Sequence, residues 1–135
     1  MADRQSIRNY LNNAIESLER AESELANRRF NSCANRCYYA CFQAAIGALL
    51  AADIQNRSSG GHRRHEYVQA QFIGQLINRR HRYPPALRRS LSENMLPRQM
   101  ADYDTNMIGE VQARRAVRRS REFGDAIRQQ ESESP

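Results

Sequence analysis

The sequence contains no tryptophan and no lysine, and aromatic residues make up only 7% of its 135 positions. Every one of its 21 basic residues is therefore arginine. That bias fits either a need for planar, bidentate phosphate contacts or a compositional drift of the genome, and the drift is the simpler account. Cysteine is scarce, odd in number and confined to Cys33, Cys37 and Cys41. A secreted disulfide framework is not laid out in that way, so a reducing compartment is expected. No apolar run approaches the roughly 18 residues of a membrane span, and the opening MADRQSIRN lacks the apolar core of a signal peptide. These absences point to a cytoplasmic protein with no membrane partner.

The chain is long enough for one domain that buries about two-thirds of its unfolded surface, so it needs neither a disulfide nor a metal to fold. A 40% apolar share is too high for general disorder, and only the polar end of the chain, QQESESP, reads as disordered. The expected organisation is one helical domain over residues 1–128 and a disordered tail over 129–135. The net charge of +6 is uneven. Residues 1–56 carry six Arg against six acids, whereas 57–128 carry fifteen against seven.

Apolar periodicity organises the domain into helices. Ile7, Leu11, Ala14, Leu18, Ala21 and Leu25 follow steps of four and three along one face of a first helix. Arg28 and Arg29 close it, and Asn31 or Ser32 is suited to cap the second, which runs to about Ala52. CYYACFQAAIGALLAA is apolar nearly all round and predicts a central helix touched from several sides. QNRSSGGHRR then reads as an exposed, mobile loop. A third helix from about His65 carries Val68, Phe72, Leu76 and Ile77 and must end before Pro84 and Pro85.

A short fourth helix bears Leu87, Leu91 and Met95, and Pro97 suits the first turn of a further helical segment. The last helix reaches about Arg128. Its apolar residues occupy two sides, Met107, Ile108 and Val111 on one and Ala113, Ala116, Val117, Ser120, Phe123 and Ile127 on the other. A break between Asp104 and Gly109, together with a second subunit covering one patch, reconciles them. The predicted fold is all-α: an antiparallel bundle of four main helices plus a short extra one.

Few residues offer chemistry. The cysteines at i, i+4 and i+8 share a helix face, but zinc sites pair ligands two to four apart with a second pair elsewhere, which is missing here. They read as small buried hydrophobes, and no metal or cofactor is expected. His62, His65 and His81 are the only histidines, each a possible general base or a surface side chain. Arg114, Arg115, Arg118, Arg119 and Arg121 fall within roughly 160° of one helix surface, a stripe that either follows a phosphate backbone or faces solvent. In RQMADYD, Arg98 and Asp102 stand four apart and can pair, with Tyr103 on another side. Local pairing and a phosphate-binding cluster are both open on spacing alone.

Taken in order, RFNSCANRCYYACFQAAIGALLA, His65 with Phe72, and Arg98 followed by ADYD at 101–104 resemble the HEPN domain family over nearly the whole chain. The resemblance implies a helical bundle forming a homodimer, often encoded beside a minimal nucleotidyltransferase as a two-gene toxin–antitoxin pair, with RNA or a nucleotide as ligand. Active members use an Arg, four to six residues and then a His as a metal-independent ribonuclease. Here the positions at that distance after Arg98 are Tyr103, Asp104 and Thr105, and the His is missing. Arg57 and His62 meet the spacing in the Ser/Gly loop, where one such pair is expected by chance. Three readings follow from the resemblance. The chain is a non-cleaving module binding a nucleotidyltransferase or a nucleotide around Arg98. Alternatively it is a ribonuclease that recruits His65 as base, with Arg98 on the phosphate and Tyr103 positioning the substrate or being modified by the partner. The third reading is a non-catalytic dimerisation domain.

Overall fold

A computed structural model describes residues 3–54, 63–103 and 108–133, and the side chains of 3–54, 65–94 and 108–132. Helix α1 spans Arg4–Ala26, α2 Phe30–Ala51 and α3 Arg63–Gln71, with α3 running on as a π-helical stretch over Phe72–Arg79. Helix α4 spans Ala86–Tyr103 and α5 Glu110–Glu133. The described residues contain no strand, as expected for an all-α bundle.

Helix α1 starts where Asp3 accepts a hydrogen bond from the Gln5 amide at 3.1 Å, satisfying one of the free donors of its first turn. A tight turn, with Arg28 in the left-handed region at φ 60°, folds α2 back against it. Side chain Ser17 bonds Gln43 at 2.8 Å, which sets the antiparallel register. Gly47 faces Leu11, where an added Cβ would stand 2.8 Å from a methyl group, so the missing side chain lets the two helices close.

Helix α2 is central. It buries residues in several directions, among them Cys33, Cys37, Tyr38, Cys41, Ala44, Ala45 and Leu49, as its all-round apolar sequence predicted. Its N-terminal half meets α1 and α5 through small residues, chiefly Ala21, Ala34, Ala113 and Ala116. Its C-terminal half packs on larger ones, with Ile46 and Leu49 in the same cluster as Phe72, Tyr83, Leu87 and Phe123. Phe72 is the hub of that lower core, 5.3 Å from the Tyr83 ring and 5.1 Å from Phe123.

Several local expectations change in three dimensions. Helix α2 begins at Phe30 with Arg29 at its N-cap and no side-chain cap. Asn31 instead accepts the Ile108 amide at 2.9 Å, tying the start of α5 to α2. The third helix widens into a π-helix, with the Arg80 amide reaching back five residues to Gln75. This register lets Leu76 and Ile77 straddle Phe72, and all three are buried.

Pro97 starts no new segment. Helix α4 continues through it to Tyr103, so the element expected to be short is 18 residues long. The proline forgoes one backbone bond, a loss set against the packing of Leu87, Leu91 and Asn94 earlier in the same helix. The expected QNRSSGGHRR loop lies largely outside the described residues, but Arg63 and Arg64 already belong to α3.

The predicted break before α5 is present, with Ile108 and Gly109 non-helical. A second subunit is not what covers Ile108. That residue is 3% exposed and packs in the cluster of Leu18, Cys33 and Val117, because its amide is drawn in by Asn31. Val111 is 61% exposed, and Met107 lies outside the described residues.

The polar tail is not disordered throughout, since α5 passes Arg128 and ends at Glu133. Glu131 explains this. It receives Arg82 at 3.0 and 3.1 Å through both carboxylate oxygens and the Tyr83 hydroxyl at 2.7 Å, a partly buried fork that periodicity cannot show.

Two substitutions test this frame. Phe72→Ala should cost about 3–5 kcal/mol in chemical denaturation, the range for emptying a fully buried aromatic site. Glu131→Gln should cost roughly 1–3 kcal/mol by weakening charge-assisted bonds, and amide exchange should then accelerate after Arg128.

Candidate functional site

Residues Arg98 to Tyr103 of the family-like stretch RQMADYD form the C-terminal end of α4, and what holds that helix is a polar network sealed between α2, α4 and α5. Asn94 is 1% exposed and stands seven residues after Leu87 and three after Leu91 on the buried side of α4. Its side-chain nitrogen donates to Ser120 Oγ at 2.8 Å and Cys41 Sγ at 3.0 Å. Its oxygen accepts Arg119 Nε at 2.9 Å. Ser120 in turn donates to the backbone oxygen of Cys37 at 3.1 Å.

Such a network costs nothing only when each member is satisfied, and here donors and acceptors interlock across three helices. It fixes the rotation and height of α4 one helical turn before Arg98. Arg119 also reaches Glu93 at 3.7 Å, and Glu93 holds Arg89 at 3.0 Å, so a line of alternating charges leads from the network to the surface.

The cysteines lie on the inner side of this arrangement. Cys33 and Cys37 are fully buried and Cys41 is 1% exposed, consistent with small core residues. A hydrogen bond with Cys33, followed by burial, pushes the Cys37 thiol well up. Burial raises Cys41 to about 11, partly offset by its hydrogen bond to Ser120 and the one it accepts from Asn94. A thiol so far above neutrality is a poor nucleophile.

His65 sits around the other side of α2. Its ring lies edge-on to Tyr38 at 5.0 Å and tilted against Phe42 at 4.8 Å, while Tyr38 stacks on Phe42 and meets Tyr39 edge-on. The structure thus brings together the aromatic pair, Phe42 and His65 that the sequence separates by more than twenty residues. Tyr38 and Phe42 share the level of Cys37 and Cys41 on faces of α2 roughly 100° apart by the turn per residue. His65 and Asn94 therefore flank the same stretch of α2. Backbone placement sets Arg98, Asp102 and Tyr103 in the last two turns of α4, and their side chains, with residue Asp104, lie outside the described set. His81 is exposed in the left-handed region at φ 53°, and His62 lies outside the described residues.

The arginine stripe of α5 does not present one free face. Arg119 turns inward to Asn94, with 20% of its side chain exposed. Arg121 bridges to Glu22 of α1 at 3.1 Å. Arg114 shares Glu110 with Arg28, at 3.0 and 2.9 Å, and this pairing lowers the Glu110 carboxyl. Arg115 and Arg118 are exposed and make no ion pair among the described residues.

Sequence reasoning missed Asn94 altogether and read Ser120 only as part of an apolar face. The signals were present: an amide in step with Leu87 and Leu91, and a hydroxyl between Val117 and Phe123.

A helical bundle with the His65 and aromatic cluster on one side of its central helix, and the anchored α4 on another, is the setting in which the family match falls. The HEPN domain model matches residues 7–130, and the chain belongs to the HEPN family. No curated protein matches it. Among the described residues no helix is long and apolar enough to cross a membrane, and no cluster of metal-ligating side chains occurs.

The network and the thiols yield a measurable pair of outcomes. Asn94→Ala should cost about 2–4 kcal/mol, because it strands Ser120 and Arg119 together. Raised thiol pKa values mean that stability is fully present below the ordinary thiol value of 9.0 and falls as pH rises through about 11, the Cys41 value. Alkylation at pH 8 should accordingly leave Cys37 and Cys41 unmodified in the folded protein and label both in denaturant, as read by intact mass.

Proposed function

We propose that this HEPN protein binds RNA or a nucleotide phosphate at the end of α4 and acts without cleaving RNA, beside a minimal nucleotidyltransferase in a two-gene, toxin–antitoxin-like system. The observation that carries the reading is the combination at α4. The Asn94 network anchors the helix rigidly one turn before Arg98, yet Tyr103 stands where an active ribonuclease would carry its histidine.

In this reading the Arg98 guanidinium makes the phosphate contact, for which its planar fork is suited. Asp102, four residues on, lies in step with Arg98 and orients it. Tyr103 offers a phenol that positions the ligand or is modified by the partner. Arg114, Arg115 and Arg118 extend the basic surface along α5, while Arg119 and Arg121 support it through their contacts with Asn94 and Glu22.

A second reading keeps catalysis. The Tyr38 and Phe42 rings restrain the His65 imidazole instead of leaving it free on the surface. An oriented imidazole can take a 2′-hydroxyl proton while Arg98, supplied by the same or a second subunit, stabilises charge on the phosphate.

Incubation with structured and single-stranded RNA in the presence of a chelator separates the two. The non-cleaving reading expects intact RNA and binding that weakens by about tenfold in Arg98→Ala. Arg115→Ala and Arg118→Ala should each reduce the salt slope of binding by about one. Cleavage that disappears in both Arg98→Ala and His65→Ala would sink it in favour of the ribonuclease. Binding unchanged in Arg98→Ala would remove the phosphate site from either reading.

A further inference from the structure

Ile7 and Ile15 are half-buried and belong to neither core cluster of the bundle. Both line an open groove of about 740 Å³ between the first half of α1, the end of α2 and the end of α5. Leu11 and Leu50 complete its floor. They are anchored from beneath, Leu11 against Gly47 and both against the cluster that holds Leu49 and Phe72, and both remain half-buried. The floor is therefore set by the fold itself.

A cavity of this volume suits a small molecule, since ligand sites commonly run from roughly 300 to 1,000 Å³. The lining narrows the chemistry. Its large apolar members are aliphatic, and no aromatic side chain among the described residues takes part. A nucleobase would find no ring to stack on, whereas an alkyl chain is matched by branched aliphatic walls. From Arg4 to Ile15 the groove follows α1 for about 16 Å at 1.5 Å rise per residue, enough for a chain of medium length laid along the helix.

Charge supplies the other half of the match. Four arginines and two acids line the groove, so it is net cationic. Glu131 is already held by Arg82 and Tyr83, and Arg128 is held by Asp125 at 2.6 Å. Arg4 and Arg8 differ from these. They are exposed, stand four residues apart and make no ion pair among the described residues. At roughly 100° per residue they fall on the same strip of α1 as Leu11 and Ile15, so two uncommitted guanidinium forks rise beside the apolar floor. A carboxylate accepts such forks through both oxygens.

We propose that this groove binds a single-chain anionic amphiphile, a fatty carboxylate, with its head between Arg4 and Arg8 and its alkyl chain along Ile7, Leu11, Ile15 and Leu50. Bound there, the ligand bridges the start of α1 to the last turns of α5, which Arg82 and Tyr83 already clamp through Glu131. It therefore opposes fraying of both. The groove lies away from the Arg98 segment. Leu87 packs in the cluster with Leu49, whereas Asn94 reaches Cys41, so α4 runs away from the end of α2 that Leu50 marks. Carboxylate binding here and phosphate binding at Arg98 stand or fall separately.

Titration calorimetry of the full chain with dodecanoate, kept below the concentration at which it forms micelles, gives the test. One molecule should bind per chain with a Kd of about 1–100 µM. Butanoate keeps the head and loses the chain, and dodecyltrimethylammonium keeps the chain and reverses the head. Each should bind at least about tenfold more weakly. Arg4→Glu/Arg8→Glu should weaken dodecanoate by at least about tenfold and make dodecyltrimethylammonium the tighter ligand. Ile7→Ser/Ile15→Ser should weaken it by about tenfold while circular dichroism reports an intact bundle. In the wild type, dodecanoate should slow amide exchange at the start of α1 and after Arg128, a readout that needs no variant.

Equal affinity of the wild type for dodecanoate and dodecyltrimethylammonium would overturn the proposal. So would dodecanoate binding that is unchanged in Arg4→Glu/Arg8→Glu. Binding to phosphatidylglycerol vesicles without binding to monomeric dodecanoate would also overturn it, by assigning the surface to a membrane. Arg98→Ala should leave the dodecanoate affinity unchanged, which keeps the two sites distinguishable.

Discussion

Helix α2 has to be covered on several sides at once, and the other elements are arranged to meet that demand. Its sequence offers no broad polar face between Cys37 and Leu49, so water must be excluded by α1, α3, α4 and α5 together. Where α1 and α5 press closest, the contacts are alanine, cysteine and glycine. Where the π-helical stretch and the start of α4 arrive, Phe72, Leu76 and Leu87 fill a wider space. The taper from small to large side chains along one helix sets the spacing of the whole bundle.

Within this apolar frame the polar network at Asn94 has a different role. Hydrophobic contacts tolerate small rotations of a helix, but an amide that must meet Ser120, Cys41 and Arg119 at hydrogen-bond distance does not. Rotation of α4 is thereby settled immediately before the segment that carries Arg98. At the other end, Arg82 and Tyr83 clamp Glu131 and hold the last turns of α5 against the loop before α4. Directional polar contacts thus sit at the two places where shape alone would leave a helix free to slide or fray.

The bundle was largely legible from periodicity, because burial of one helix face leaves a mark at every third or fourth residue. The central place of α2, the burial of the three cysteines and the break before α5 were all visible in this way. The site was legible only in part. Tyr38, Phe42 and His65 could be suspected from the family resemblance, but their meeting depends on how α3 is laid against α2. The arginine stripe looked continuous because periodicity reports angles around one helix and says nothing of what faces it. Arg119 meets Asn94 and Arg121 meets Glu22, so neighbours in sequence have different surroundings.

By itself the sequence determined the helical class, the covered state of α2, membership in a family of helical bundles and the presence of a tyrosine, not a histidine, five residues after Arg98. Those properties are local, resting on residue type and on spacing within a single helix. Tertiary structure alone decided that Pro97 lies inside a helix, that Ile108 is covered by its own chain and that the polar end after Arg128 is held by Arg82 and Tyr83. Each depends on groups many residues apart, such as Asn31 with Ile108 and Tyr83 with Glu131. A hydrophobic pattern records which side of a helix avoids water, but hydrogen-bond partners are chosen by distance and direction, which exist only once the helices are packed.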